Sequence, residues 1–328
     1  MKTGKVPVNI LKRSIINEIK QKNKEVFKGA GVGADYALLR LKALEDIVVT
    51  TNIYEASNSL SAALAVYKAG NNMACSGAVL IAVTVSMTLP VEFQESELKA
   101  YMKAMDDAAE KLQVEIAGGD TRISENVQVP ILTVTGIGRV SAENSMEERK
   151  VCAGQELVVS KWIGMEGALL IVNAKEEELQ NRYPYAMLDR VMAMEHEMTV
   201  LLEAATAVKS EVSAMHDLSE GGILGGLWEF AGKHGVGLEI DIKKIPVKQE
   251  VIEICEYFEL NPYALRSGGS LLMAVNNGSN LVWELNKLGI EASVIGRITD
   301  GNDRIIRNQE ETRYLDLPQA DEIYKMKI

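Results

Sequence analysis

The stretch MACSGAVLIAVTVSMTLPV, Met73–Val91, decides the fold. It is the longest apolar run in the chain, and its length approaches the roughly 20 residues a membrane helix needs. Ser76, Gly77, Thr84, Ser86, Thr88 and Pro90 interrupt it. From Val79 to Leu89 it is rich in β-branched residues, which suit the pleated surface of a strand. The reading is therefore a buried strand inside a soluble α/β domain.

Elements on either side of this strand alternate. Upstream, Ile10–Lys22 has helical spacing. The glycine stretch Gly29–Asp35, short strands at Tyr36–Leu41 and Asp46–Thr51, and a small-residue helix at Ser57–Gly70 follow. Downstream, Ser96–Leu112 carries Leu98, Met102, Met105 and Ala109 on one helix face. Val114–Ala117 is read as a strand running into Gly118-Gly119-Asp120-Thr121, and Val129–Val140 as another strand. The charged segment Ser141–Lys150 is the expected boundary between a domain at 1–150 and a second at 151–328. The second half reads as strands at Glu156–Ser160, Val212–His216, Gly237–Ile242, Leu271–Val275 and Ala292–Ile298. Helices are expected at Ala186–Val208, Ile223–Lys233, Gln249–Tyr257 and Leu281–Leu288. No core element is expected in the charged tail from Asn302 onward. The strands do not form a clean βαβ series, so mixed sheets in an α/β (α+β) pair of domains fit best.

Composition narrows function. The 328 residues carry 35 Lys and Arg against 46 Asp and Glu, a formal net charge of −11. Such an acidic chain is a poor non-specific partner for nucleic acid or anionic lipid. Cys75, Cys152 and Cys255 are far apart, which speaks against a disulfide framework or structural zinc and for a reducing compartment. Each is expected as a small buried hydrophobe. The lysine-studded segment Met1–Val26 has no apolar core of a signal peptide, so a cytoplasmic protein is expected.

Four segments carry candidate chemistry. Gly29–Gly33 (GAGVG) follows a helix and precedes a strand, the wrong order for a dinucleotide fingerprint, and no P-loop lysine follows. Gly118-Gly119 at a strand end expose backbone donors, and Asp120 is a hard oxygen donor suited to Mg²⁺, or alternatively a turn residue. His216-Asp217-Leu218-Ser219-Glu220-Gly221-Gly222 lies at a strand-to-helix junction, where a helix N-terminus favours anions; Ser219 could equally be an N-cap. Read singly, His216 is a core histidine, His196 is solvated and His234 favours a helix C-terminus. Asn52, Asn71 and Asn72 read singly as turn or cap residues.

Taken in order, these pieces resemble the aminoimidazole ribonucleotide synthetase-like superfamily, closest in style to its HypE-like, hydrogenase maturation members. The residues that carry the resemblance are Gly31-Val32-Gly33-Ala34-Asp35, Thr50-Thr51-Asn52, Asn71-Asn72-Met73-Ala74 with Ser76-Gly77-Ala78, Gly118–Thr121, His216–Gly222, Ile245-Pro246-Val247 and Ser267-Gly268-Gly269. The resemblance implies two domains with mixed sheets. It also implies an N-terminal domain that binds ATP and pairs with its twin as a dimeric β-barrel. The implied chemistry is ATP-dependent phosphorylation of a carbonyl, carboxyl or amide oxygen of an unidentified small-molecule or protein substrate, with ATP and Mg²⁺ as cofactors. Carried onto this chain, Asp35 and Asp120 would hold the metal. Gly31, Gly33, Asn52, Asn72, Gly118, Gly119 and Thr121 would hold the nucleotide, and Asp217, Ser219 and His216 would act at the phosphate or substrate end.

Departures point to an alternative. Asn52 and Asn72 stand where the family usually has aspartates that help hold Mg²⁺, and each change removes a negative charge. HypE proteins end in a reactive cysteine, whereas the sequence here ends Tyr324-Lys325-Met326-Lys327-Ile328. The alternative is a catalytically degenerate protein that binds a nucleotide or metabolite and acts as a partner or regulator.

Overall fold

The structure, a computed structural model, describes residues 4–5, 8–20, 23–28, 38–39, 45–147 and 149–326. The chain divides into two compact units, Met1–Ser145 and Met146–Ile328. Gly31, Gly33 and Asp35, from the first glycine motif, lie outside the described residues.

The first unit contains β1 (Gly4–Lys5), α1 (Val8–Ser14), β2 (Val26–Lys28), β3 (Leu38–Leu39), β4 (Asp46–Glu55), α2 (Ser59–Ala74), β5 (Val79–Leu89), α3 (Glu95–Lys111), β6 (Glu115–Ile123) and β7 (Ile131–Val140). Its main sheet has the order β1-β6-β5-β7-β4. The Val79–Leu89 stretch is a strand with the expected bounds. It lies at the centre of the sheet, parallel to β6 and antiparallel to β7. The α2 and α3 helices pack together over one sheet face. Leu98, Met102 and Met105 of α3 are fully buried, each contributing about 1.5–3 kcal/mol of transfer free energy. Gln94 and Glu97 close a capping box at the start of α3, which satisfies two backbone donors that would otherwise lack partners.

Several boundaries differ from expectation. Ile10–Lys22 is a shorter helix, Val8–Ser14, followed by a 3₁₀ turn at Ile16–Glu18. The strand expected to stop at Thr51 continues to Glu55. The helix expected to stop at Gly70 continues to Ala74, started by the Asn58 side chain, which accepts from the Ser61 N–H. Asn52 is therefore inside a strand and Asn71-Asn72 inside a helix, not in turns or caps. Gly118–Thr121 is also mid-strand.

The second unit contains β8 (Glu156–Ser160), α4 (Met165–Gln180), α5 (Tyr185–Met192), α6 (Leu201–Lys209), β9 (Ala214–Leu218), α7 (Gly222–His234), β10 (Gly237–Asp241), α8 (Gln249–Tyr257), β11 (Ser270–Val275), α9 (Gly278–Lys287), β12 (Ala292–Thr299), β13 (Arg304–Asn308) and β14 (Glu311–Tyr314). Its sheet has the order β14-β13-β10-β12-β8-β11-β9. It is antiparallel except where β10 and β13 run together. Ile223, Leu227 and Phe230 of α7 pack on one face, against Leu157, Val159 and Leu272.

Three expectations fail here. The single helix Ala186–Val208 is α5, a 3₁₀ turn (Ala193–Glu197) and α6. The Lys161 ammonium, buried and paired with Glu203 at 2.6 Å, takes the carbonyls of Glu197 and Thr199 at 2.7 Å each. Those carbonyls are thereby drawn out of a continuous helical ladder. The tail also joins the core: β13 and β14 extend the sheet, and Ile306, Leu315 and Ile323 are buried. Among the cysteines, Cys255 is buried and Cys75 half-buried, but Cys152 is exposed, contrary to expectation.

Candidate functional site

In the first unit, alternation along β4 turns Asn52 and Tyr54 toward the packed side and leaves Ile47, Val49, Ile53 and Glu55 outward. Asn52 is 8% exposed. Asn72 projects from α2 and donates through Nδ2 to Asn52 Oδ1 at 2.7 Å. Asn52 Nδ2 is buried with no hydrogen-bond partner among the described residues.

A register shift before Thr84 skips Ala117, so that Ile116 faces Val83 and Gly118 faces Thr84. This is a bulge directly before the glycine pair, and it re-aims the strand. A Cβ on Gly119 would lie 1.8 Å from the Val85 carbonyl oxygen, so close approach of the two strands requires glycine there. A Cβ on Gly118 would meet open space. Asp120 is exposed, and its Oδ1 accepts the Thr121 N–H at 3.0 Å. Thr121 is buried on the opposite side of the strand.

Register separates these residues. Asp120 faces Ser86, Ser86 faces Thr133, and Thr133 faces Ile53. Asn52 lies in the adjacent row, with Val134, Val85 and Gly119. Asp120 and Asn52 therefore point to opposite faces of the sheet, three strand spacings or about 14 Å apart. The residues expected to share a cofactor do not converge within this unit.

Asp120 is the one described carboxylate of the expected metal pair, since Asp35 lies outside the described residues, and the Asn52–Asn72 pair adds no charge to it. Mg²⁺ wants several oxygen ligands in near-octahedral geometry, usually including carboxylates. The Asn52–Asn72 pair is neutral, its one paired oxygen is already bound, and its orphaned atom is a donor. No group of three or more His, Cys, Asp or Glu side chains that could hold a metal occurs among the described residues.

In the second unit, β9 is an edge strand paired with β11. His216 faces α7: its ring and Leu218 both lie against Gly226, and Nε2 is 3.2 Å from Glu229 Oε2. Asp217, the next residue along, is buried on the other face of the strand. His216 and Asp217, expected to act together, are thus divided by the sheet.

Ser219 does not cap α7. The N-cap is Gly221, with φ +81°, and no side chain caps the helix from that position. Ser219 contributes its carbonyl, which accepts the N–H groups of Gly222 and Ser267 at 3.1 Å each. Gly222 also has positive φ, and a Cβ there would lie 2.6 and 2.7 Å from the carbonyl oxygens of Tyr263 and Leu265. Only glycine fits that turn.

The Ser267-Gly268-Gly269 loop is held from below. Ser267 Oγ donates to the Leu265 carbonyl and accepts the Gly164 N–H. Glu166 accepts the Gly268 N–H at 3.1 Å and pairs with Arg266 at 3.2 Å. Sequence reasoning missed Glu166, Arg266 and Asp321. Adjacency to Ser267 was the signal for Arg266; the other two had none. His234 is half-buried against Phe230, and burial, with Lys233 and His216 nearby, holds its pKa below the usual value. It is the last residue of the Gly222–His234 helix, at the helix C-terminus as expected.

Comparison with known proteins matches the N-terminal domain of AIR synthase related proteins over residues 33–140 and their C-terminal domain over residues 153–307. The chain belongs to the AIR synthase related family. Among its relatives, the carbamoyl dehydratase HypE of Escherichia coli K12 is 27% identical over 266 residues, 79% of this chain and 76% of HypE. Family members of known structure share the fold. A hydrogenase maturation protein HypE in complex with ATP has a TM-score of 0.79 at 17% identity, over 96% of both chains. The HypE chain of a HypE–HypF complex has a TM-score of 0.71 at 23% identity, over 83% of this chain and 90% of that one. The match to this family is a HypE-like, two-domain α/β fold with mixed sheets. Among the described residues, no helix is long and apolar enough to cross a membrane.

Proposed function

We propose that this family member is an ATP-using enzyme that phosphorylates a carbonyl, carboxyl or amide oxygen of its substrate. The observation that carries the reading is the family match across both units, with a carbamoyl dehydratase among the relatives and an ATP complex among the structures of the same fold. In such chemistry the protein's task is positioning and charge stabilisation at the transferred phosphoryl group. Asp120, Gly118 and Gly119 on one strand, and Asp217 with the 219–222 turn on another element, are the groups proposed to do this.

A homodimer belongs to the same reading. Ile47, Val49 and Ile53 of β4 and Val79 of β5 are 57–70% exposed. Apolar strand residues left open in this way mark an association surface. A protein partner comparable to the HypF of the HypE–HypF complex, and a cytoplasmic setting, are further parts of the proposal.

One observation favours a second reading. The neutral Asn52–Asn72 pair suits a protein that binds a nucleotide or metabolite without turning it over. Both readings are tested by incubating the full chain with ATP and a panel of carboxylates and carboxamides, with hydroxylamine present to trap an acyl phosphate. ADP formation that depends on one acceptor supports the enzyme. ATP binding with no ADP from any condition supports the second reading.

A further inference from the structure

The 219–222 turn closes on itself through one backbone bond, from the Gly222 N–H to the Ser219 carbonyl, and no side chain of its own caps the helix that follows. Gly221 and Gly222 are consecutive left-handed residues with no side chains, and they stand where α7 needs a cap for its first N–H groups. The partner arrives from 100 residues downstream. Asp321 Oδ2 accepts the Gly221 N–H at 2.6 Å, while Oδ1 accepts the Ile323 N–H at 2.9 Å and, more weakly, the Arg266 N–H at 3.4 Å. Asp321 is 2% exposed.

We propose that Asp321 is a positioning residue of the candidate site, a buried carboxylate through which the C-terminal strap fixes the 219–222 turn and the 266–269 loop against each other. This inference rests on the reading that the 219–222 turn belongs to the ATP-using site. The two loops touch through the Ser267 N–H and the Ser219 carbonyl, and Asp321 bonds Arg266, next to Ser267, and Gly221, two residues after Ser219. The strap is anchored on both sides of Asp321. Leu315 and Ile323 are buried, Tyr324 donates to Glu220 at 3.0 Å, and Glu322 accepts the Asn261 N–H at 3.1 Å.

Charge suits the role. A carboxylate at the N-terminus of the Gly222–His234 helix meets the positive end of the helix dipole. Arg266, itself paired with Glu166, lies beside the carboxylate and favours its charged form. Burial outweighs these contacts and raises the Asp321 pKa.

The test uses full-length Asp321→Asn and Asp321→Ala beside the parent. Asp321→Asn keeps the size and one oxygen acceptor, so it remains informative if Asp321→Ala fails to fold. Hydrogen–deuterium exchange is read on peptides covering 217–223 and 265–269, and ATP turnover is read as kcat and KM separately. The expected result is at least tenfold faster exchange in both loops with the β8 and β11 strands unchanged. It is accompanied by at least a tenfold fall in kcat and less than a threefold change in KM, and Asp321→Asn is milder than Asp321→Ala. Unchanged loop exchange overturns the proposal. So does faster exchange with unchanged kcat, because the carboxylate would then be a fold element only. A parent that neither binds nor turns over ATP overturns the proposed function instead, and loop exchange then decides the clamp by itself.

Discussion

Asn72 Nδ2 and Asn52 Oδ1 meet at 2.7 Å between a helix and a strand, and the Asn52 amide nitrogen is buried without a partner among the described residues. A single hydrogen bond between two amides satisfies one donor and one acceptor and leaves the pair neutral. This relationship separates the chain from the aspartate-bearing pattern it resembles.

Restoring those acids therefore changes metal dependence. In the parent, chelating Mg²⁺ is expected to alter the affinity for a non-hydrolysable ATP analogue by less than about threefold, since neutral amides are poor ligands for a hard cation. In the Asn52→Asp/Asn72→Asp double variant, Mg²⁺ is expected to tighten binding by roughly tenfold or more. Titration calorimetry with and without chelator checks this, and a strongly Mg²⁺-dependent parent would sink the interpretation of the pair.

The open apolar strand face gives an association prediction. Ile53 is 70% and Val49 60% exposed. Ile53→Lys with Val49→Lys is expected to convert a dimer into a folded monomer, measured by light scattering and circular dichroism. A parent that is already monomeric at micromolar concentration contradicts the proposed homodimer.

Gly222→Ala probes the turn. It combines a left-handed backbone with a Cβ 2.6 Å from the Tyr263 carbonyl oxygen. The two costs together should destabilise the protein by at least about 2 kcal/mol in urea unfolding. A loss below about 0.5 kcal/mol would show that the 263–265 segment moves aside freely.

His234 gives a pH dependence with a definite sign. Burial first, then Lys233 and His216, depress its folded pKa below the ordinary imidazole value of about 6.5. Above pH 6.5 both folded and unfolded forms are neutral there. As pH falls through 6.5 toward the folded pKa, the unfolded chain takes up the proton first, so stability falls. Unfolding measured from pH 7 downward should show this slope, and His234→Gln should flatten it. An NMR titration midpoint above 6.5 would contradict the assignment.

The thiols should separate by reactivity. Cys152 is exposed, whereas burial pushes the Cys255 thiol up to about 12. At pH 8 an aromatic disulfide reagent should modify Cys152 rapidly and Cys255 only after denaturation. Fast native labelling at Cys255, read by peptide mass, would contradict the packing around it.

The fold was largely legible where one physical signal dominated. Val79–Leu89 is apolar, β-branched and bounded by Gly77 and Pro90, and its strand has those bounds. Glu156–Ser160 and Gln249–Tyr257 were equally plain. The α4 helix went unread: its first half, Met165–Val172, is buried all round, so no amphipathic stripe marks it. The tail hid its core role because Leu315 and Ile323 are isolated apolar residues among charges.

The candidate site was legible as motifs but not as geometry. Gly118-Gly119 and Gly221-Gly222 mark places where the backbone needs glycine or open space. Strand alternation places the adjacent His216 and Asp217 on opposite faces once β9 runs through both, whereas the opposite facing of Asn52 and Asp120 depends on register across four strands and cannot be read from spacing alone. Asp321 is a contact across 100 residues, and local pattern carries no trace of it.

Binding of ATP itself tests the account most directly. The full chain is titrated calorimetrically with a non-hydrolysable ATP analogue, with and without Mg²⁺. Saturable binding to a single site per chain is the predicted result. No heat and no binding in either condition would contradict the ATP-using enzyme and redirect the search to a different ligand for the same fold.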